Sequence, residues 1–257
     1  MRRLHLIEIE DQPWCPAPIR DAATDFLRFA LHAGNNYAPA APLLRSAMDR
    51  LGERRIVDLC SGGGGPWLRL LEEMDGSGGA VEVCLTDQYP NLDALRRAER
   101  ESGGRLRFHA EPVDATRMPP ELEGFRTLFT AFHHFRPDAA RAILHDAVRN
   151  RQGIGVFETT QRSALSVFLT ALSPLFVLLA TPWIRPFRWS RLFWTYVVPL
   201  VPLLVVFDGI VSCLRTYSVA ELRELVDGVG GEGYVWEAGL AKGRGPVPVT
   251  YLIGSPV

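Results

Sequence analysis

The chain has 257 residues, 47% of them hydrophobic, and its 28 basic and 29 acidic side chains leave a formal net charge of -1. That length can bury the core of one large α/β domain or of a domain with an insertion. The near-neutral balance excludes the basic footprint of a nucleic-acid binder, so no nucleic acid is expected as a partner.

The opening "MRRLHLIEIEDQPW" meets acids within ten residues and has no long apolar stretch or small-residue cleavage site, so no secretory leader is expected in it. Apolar residues Ile19, Ala22, Ala23, Phe26, Leu27 and Ala30 then recur at helical spacing, and Gly34-Asn35-Asn36 ends that helix. A second helix, "APLLRSAMDRLG", leads to the buried strand "RIVDLC", four glycines and the helix "PWLRLLEEM". Strand and helix patterns alternate from there: strand "AVEVCLTD", helix "NLDALRRAERESGG", strand "LRFHAEPVDA" and strand "FRTLFTAFHHF". Helix "RPDAARAILHDAVRNRQ" and strand "GIGVFETT" follow. After an interruption come helix "SVAELRELVDGVGG" and the strands "YVWEAGL" and "PVTYLIG". Alternation of this kind predicts an α/β fold with a doubly wound, mostly parallel sheet of seven strands. The expected organisation is a helical N-terminal cap (1–53), a Rossmann-like core (54–160), a hydrophobic insertion (161–217) and a segment completing the sheet (218–257).

The interruption is apolar. Residues 163–184 carry no charge, nor do 192–207, and Trp183, Trp189 and Trp194 lie within the region. Twenty-two uncharged residues are long enough to cross a bilayer. Yet Pro174, Pro182, Pro199 and Pro202 interrupt the runs, and a hairpin would carry Arg185, Arg188 and Arg191 to the far side, against the positive-inside rule. The expectation is a non-spanning cap over the active site that dips into one leaflet, giving peripheral membrane contact through 163–207. Leu175, Val177 and Leu178 are expected on its apolar face. An apolar partner molecule is implied.

What ligand would the glycine loop hold? The dinucleotide fingerprint G-x-G-x-x-G fails at Cys60 in one register and at Trp67 in another, and Pro66 with no Lys-Ser/Thr pair excludes a P-loop. "VDLCSGGGG" instead resembles the Asp-x-Gly-x-Gly-x-Gly motif of class I S-adenosylmethionine-dependent methyltransferases, with Asp58, Gly62 and Gly64 matching and Cys60 in place of the first glycine. Asp87 of "VCLTDQYPN", "VDATRMP" and "TAFHHF" resemble the family's later landmarks in the same order, over residues 54 to 160. The resemblance implies S-adenosyl-L-methionine as cofactor, held by Asp58, Cys60, Ser61, Gly62, Gly64, Asp87, Gln88, Asp114, Ala115 and Phe132. It implies that Asp87 takes the ribose hydroxyls and that Asp114 with the Ala115 N–H takes the adenine.

Physical reasoning agrees with that implication. A sulfonium cofactor has no phosphate for a Walker lysine to bind, and small loop residues permit close approach of the backbone. Catalytic candidates are His133, His134 and Glu158. On an extended segment adjacent side chains point oppositely, so at most one histidine is expected to face the methyl and act as a base. Plainer readings stand beside these: Asp58 fixing the loop, Asp87 capping a helix, Asp114 in a surface turn, a histidine holding a loop. Asn35, Asn36 and Tyr37 either close over the cofactor or simply end a helix. The four cysteines show no C-x-x-C spacing, so neither a disulfide framework nor a metal site is expected, and a reducing cytoplasm fits. The functional expectation is methyl transfer to a lipophilic small molecule of prenyl, quinone, polyketide or acyl type. The alternatives are a membrane-associated binding protein with a degenerate Rossmann domain and a cofactor-binding enzyme that transfers no methyl.

Overall fold

The computed structural model describes residues 1–74, 80–230, 233–243 and 245–257. Among these, seven strands form one sheet: β1 (Arg55–Asp58), β2 (Glu82–Leu85), β3 (Leu106–Phe108), β4 (Phe125–Phe129), β5 (Ile154–Glu158), β6 (Tyr234–Ala241) and β7 (Val249–Pro256). Their order is β3-β2-β1-β4-β5-β7-β6. β1 to β5 pair in parallel, while β7 runs antiparallel between β5 and β6. The central strands β4 and β5 are buried at every position, as a parallel sheet covered on both faces requires.

Helices α1 (Ala17–Gly34), α2 (Ala40–Leu51), α3 (Trp67–Met74), α4 (Leu92–Glu101) and α5 (Pro137–Arg149) fall where the apolar periodicity put them. α2 is not part of a detached cap. Its Ala40, Leu44, Ala47 and Met48 sit in the same cluster as Ile56, Trp67 and Phe125, on one face of the sheet. The opposite face is built from Val57, Leu128, Phe132, Ile143 and Leu252. The insertion forms α6 (Ala164–Ala171), α7 (Ser173–Ala180), α8 (Trp189–Leu192) and α9 (Leu200–Arg215), and α10 (Val219–Val226) follows it. α10 begins at a capping box in which Ser218 and Glu221 satisfy each other's backbone N–H groups. The expected helix there runs to Gly231, but the observed one ends at Val226, with residues 227–230 non-helical and Gly231 outside the described residues.

Two expected strands are shorter than the sequence suggests. β3 stops at Phe108 rather than Ala115, and further on Asp114 folds its own chain into a turn by accepting from the Thr116 N–H at 2.8 Å. β4 stops at Phe129 rather than Phe135. Thr130 there adopts a left-handed conformation (φ 46°), and Phe132–His134 wind into a single 3₁₀ turn.

Candidate active site

The glycine loop leaves β1 in the conformation that the glycine motif demands. Cys60 has φ 57° although it carries a side chain, and Gly62 and Gly64 have φ 52° and 103°. A left-handed backbone at a non-glycine residue costs roughly 1–2 kcal/mol, a strain that clusters at ligand crevices. Gly64 is needed for a second reason: a Cβ there would lie 3.1 Å from the Ala98 Cβ on α4.

Asp58 stands beneath the loop. It is buried, accepts from Thr127 Oγ1 at 2.6 Å and from Ser61 Oγ at 2.7 Å, and so ties the loop to β4. Burial raises its carboxyl to about 6, held in check by those hydrogen bonds. Asp58 and Ser61 thus anchor the loop, a role for Asp58 that is compatible with cofactor binding. Asp87 is different. It is only partly buried at the end of β2, and its Oδ2 accepts from the Gly62 N–H at 2.8 Å while Oδ1 accepts from the Tyr89 N–H at 2.8 Å. The Val113 N–H donates to the Asp87 carbonyl at 2.9 Å, which brings exposed Asp114 and buried Ala115 beside the same crevice. Gln88 is exposed next to Asp87. Phe132 has no exposed surface and packs on Tyr217, so it forms part of the floor below the crevice and presents no wall to it. Tyr37 is core as well, edge-on to Phe129, and Asn35 caps α1 while donating to Glu73. For Asn35 and Tyr37 this is the structural reading, with no closure over a ligand.

The histidines depart from the alternation expected of a strand. Because Phe132–His134 form a 3₁₀ turn, the two rings lie side by side, 4.4 Å apart at 32°, and face one polar cluster. His133 is buried. Its Nδ1–H donates to Glu158 Oε2 at 2.8 Å, and its backbone N–H donates to Glu158 Oε1 at 3.1 Å. A carboxylate held this way fixes the ring tautomer, leaving the lone pair on Nε2. Nε2 makes no hydrogen bond, and the Glu8 carboxylate lies 3.7 Å away. His134 bonds Asp11 Oδ2 at 3.0 Å and lies 3.3 Å from Glu8 Oε2. Burial alone would lower its pKa, but the Asp11 hydrogen bond and the charges of Glu8, Asp11 and Glu10 outweigh this and lift it to about 9. A histidine protonated at neutral pH is no base. His133 is the candidate of the two.

Glu8, Asp11, Asp208 and Arg215 escape a sequence reading. Glu8 and Asp11 lie in a segment without regular secondary structure that crosses the carboxyl ends of β4 and β5, and charges hold it there. Arg215 Nη1 lies 3.2 Å from both Glu8 and Asp11, and Asp208 accepts from the Ile9 and Glu10 N–H groups at 2.7 and 2.9 Å. One signal was present: Asp208 and Arg215 are charges inside an otherwise apolar helix, which requires buried partners. Glu8, His133 and His134 also bring ligand atoms within 4.8 Å of one another, a spacing a metal ion could use. Arg215 already supplies the positive charge between Glu8 and Asp11, so no metal role is assigned to this cluster.

The same cluster makes stability depend on pH. Asp208 is raised from 3.8 to about 6 and Glu10 from 4.5 to about 7, both chiefly by burial, and His134 is raised from 6.5 to about 9. Each folded-state pKa exceeds the unfolded value. The folded chain therefore keeps protons that the unfolded chain releases, and stability is lost as pH rises through each folded value. Between pH 6.5 and 9 the fall is mainly that of His134. The melting temperature should drop over that interval, by about 2–4 °C for each kcal/mol, and His134→Gln should flatten the profile. An unchanged slope in that variant would remove His134 from this role.

The strand order, the antiparallel β7 and the loop-and-acid crevice define the class I S-adenosylmethionine-dependent methyltransferase fold, which this chain has. Solved structures with that fold agree. The chain is similar to the mitomycin 7-O-methyltransferase (16% identity, TM-score 0.53, covering 89% of this chain and 54% of that one). It is similar to an O-methyltransferase from neocarzinostatin biosynthesis in complex with S-adenosylmethionine and 2-hydroxy-5-methyl naphthoic acid (16%, 0.56, covering 94% and 59%). It is also similar to the plantazolicin methyltransferase in complex with S-adenosylhomocysteine (12%, 0.55, covering 97% and 95%). The chain thus spans just over half the length of the first two and nearly all of the third. No family model matches the chain, and no curated protein matches it in sequence.

Proposed function

We propose that this chain is an S-adenosylmethionine-dependent methyltransferase acting on a lipophilic small molecule of prenyl, quinone, polyketide or acyl type. The observation that carries the reading is the 2.8 Å hydrogen bond from the Gly62 N–H to Asp87. It brings loop backbone and a solvent-accessible carboxylate to one point beyond the carboxyl ends of the strands, where ligands of open parallel sheets lie. Carboxylate oxygens each accept more than one hydrogen bond, so Asp87 retains acceptor capacity for two vicinal hydroxyls. The loop has no lysine of the kind a P-loop uses on a phosphate, which suits a sulfonium cofactor.

The bound cofactor supplies a methyl group that is already activated. The chain's own residues align the acceptor, exclude water and move one proton. Asp87 and Asp114 would hold the ribose and adenine portions, and the backbone from Cys60 to Gly64 would face the remainder. His133 Nε2, with Nδ1 held by Glu158, would accept the proton that an acceptor hydroxyl or amine gives up, while the cofactor would supply the methyl and leave as S-adenosylhomocysteine. Glu158 keeps the ring in the required tautomer and stabilises the imidazolium that forms. Because Glu8 closes over Nε2, an acceptor reaches it only when residues 8–11 move aside.

Lipophilicity of the acceptor is supported by the exposed apolar side chains of the insertion, among them Phe168, Phe176, Leu179 and Trp183. All four cysteines are free, which suits a cytoplasmic setting at the inner face of a membrane. Thermal denaturation with a ligand panel tests the cofactor. S-adenosylmethionine and S-adenosylhomocysteine should raise the melting temperature while NAD and ATP do not, since a ligand at about 100 times its Kd adds roughly 2.7 kcal/mol. Equal stabilisation by NAD would sink the reading. Formation of S-adenosylhomocysteine with a lipophilic extract, together with a methylated product, separates methyl transfer from binding alone.

A further inference from the structure

The insertion folds back along the body of the protein. Val177, Ile184, Val201 and Leu204 pack with Ile19, Ala23 and Phe26 of α1. Its tip is tied down by charge: buried Arg191 reaches Asp25 Oδ2 at 2.7 Å, and Arg188 lies 3.8–3.9 Å from Asp21 and Asp25. The stretch Ala164–Trp183 is long and apolar enough to cross a bilayer, with a mean hydropathy of 2.1. A hairpin whose tip is ion-paired to α1 has no far side to reach, however.

The side turned away from α1 is bare. Fifteen of the 25 exposed large apolar side chains among the described residues lie between 165 and 207, including Phe168, Phe176, Leu179, Trp183, Trp189 and Val197. A soluble surface does not leave such a patch uncovered. Val177, expected there from the uncharged run, is instead fully buried, so the face is defined by its exposed neighbours.

We infer that this face docks into one leaflet of an anionic lipid bilayer. Three observations choose lipid over a protein partner. Several polar side chains of the insertion are satisfied internally: Ser166 and Thr170 turn to Cys213, Thr181 bonds the Val177 carbonyl, and the Tyr196 hydroxyl bonds the Leu178 carbonyl. Lipid requires that self-sufficiency, whereas a protein interface offers about one hydrogen bond per 100–200 Å². Residues 159 to 207 contain no acid, and with Arg162, Arg188 and Arg191 paired within the protein it is exposed Arg185 that faces anionic headgroups. Exposed Arg185 sits among exposed Trp183, Phe187 and Trp189, the aromatic and basic rim of a membrane-interface element. The consequence reaches the candidate active site. α9 carries exposed Leu203 and Phe207 and, further along the same helix, the Asp208 and Arg215 that hold the N-terminal segment over His133.

Flotation of the full chain with vesicles of phosphatidylcholine plus phosphatidylglycerol, and with phosphatidylcholine alone, tests the docking. The wild type should float with the anionic vesicles and more weakly with the neutral ones. Phe176→Ser, Leu179→Ser and Trp183→Ser together should weaken vesicle binding by about 100-fold or more, given three large apolar side chains lost. Arg185→Gln, which disturbs no packing, should reduce binding to anionic vesicles alone. The thermal shift with S-adenosylhomocysteine should be retained in both variants, so that loss of docking is told apart from loss of the fold. Wild-type protein that stays below the vesicles overturns the inference. So does a stable dimer in detergent-free buffer that the triple variant dissociates.

Discussion

His133→Ala should lower methyl transfer by about 10²- to 10⁴-fold, the usual range for loss of a positioned general base, while cofactor affinity stays nearly unchanged. The second half of that expectation follows from geometry. His133 contacts Glu158 and Glu8, whereas the crevice residues Gly62, Asp87 and Asp114 bond one another or their own turns without it. Glu158→Gln keeps the shape and removes the charge that favours the imidazolium. It should slow turnover less than His133→Ala and shift the pH–rate profile, a readout that a purely structural role would leave in place. His134→Gln should spare the chemical step, because a ring held protonated cannot accept the acceptor's proton. Single-turnover rates with a lipophilic acceptor check all three. Turnover undiminished in His133→Ala, with normal cofactor binding, would leave the acceptor activated without a histidine.

The parts of the molecule legible from sequence were those whose cause is local. The run from β1 through the glycines to α3 shows itself because apolar continuity, φ-permissive residues and 3.6-residue periodicity follow each other within twenty positions. Asp87 is legible for the same reason, at the end of an unmistakable strand. What stayed hidden depends on contacts distant in the chain. His133 and His134 read as strand because "FRTLFTAFHHF" is apolar throughout, but Thr130 turns left-handed where its hydroxyl meets Thr159, and the strand ends. Glu8 and Asp11 read as surface acids because their partners lie more than 120 residues away, at His133, His134 and Arg215. Val177 reads as outward-facing because composition shows that a run is apolar without showing which side of it meets α1. Asp58 reads as a loop anchor, but its partner Thr127 lies on a strand 69 residues further along the chain.

Asp87→Ala should weaken S-adenosylmethionine binding by at least about tenfold and up to a thousandfold. Hydrogen bonds to a charged group contribute roughly 1.5–3 kcal/mol each, and tenfold in affinity corresponds to about 1.4 kcal/mol. Two effects act together. The carboxylate supplies charge-assisted acceptors for the ribose hydroxyls, and it also anchors the Gly62 N–H, so its removal loosens the loop that faces the same ligand. Asp87→Asn keeps an acceptor for Gly62 but loses the charge and half of the acceptor capacity, and it should fall between alanine and wild type. The fold should survive both changes, since Asp87 is half-exposed at a strand end and belongs to neither hydrophobic cluster of the sheet. Gly62→Ala separates the two effects. Nothing lies within 4 Å of a Cβ at Gly62, so that variant strains only the backbone at φ 52° and leaves the carboxylate untouched. A loss smaller than that of Asp87→Ala assigns the difference to the ribose contact. Calorimetric titration of the four proteins decides the matter, and full affinity in Asp87→Ala would mean that the loop and the acid share no ligand.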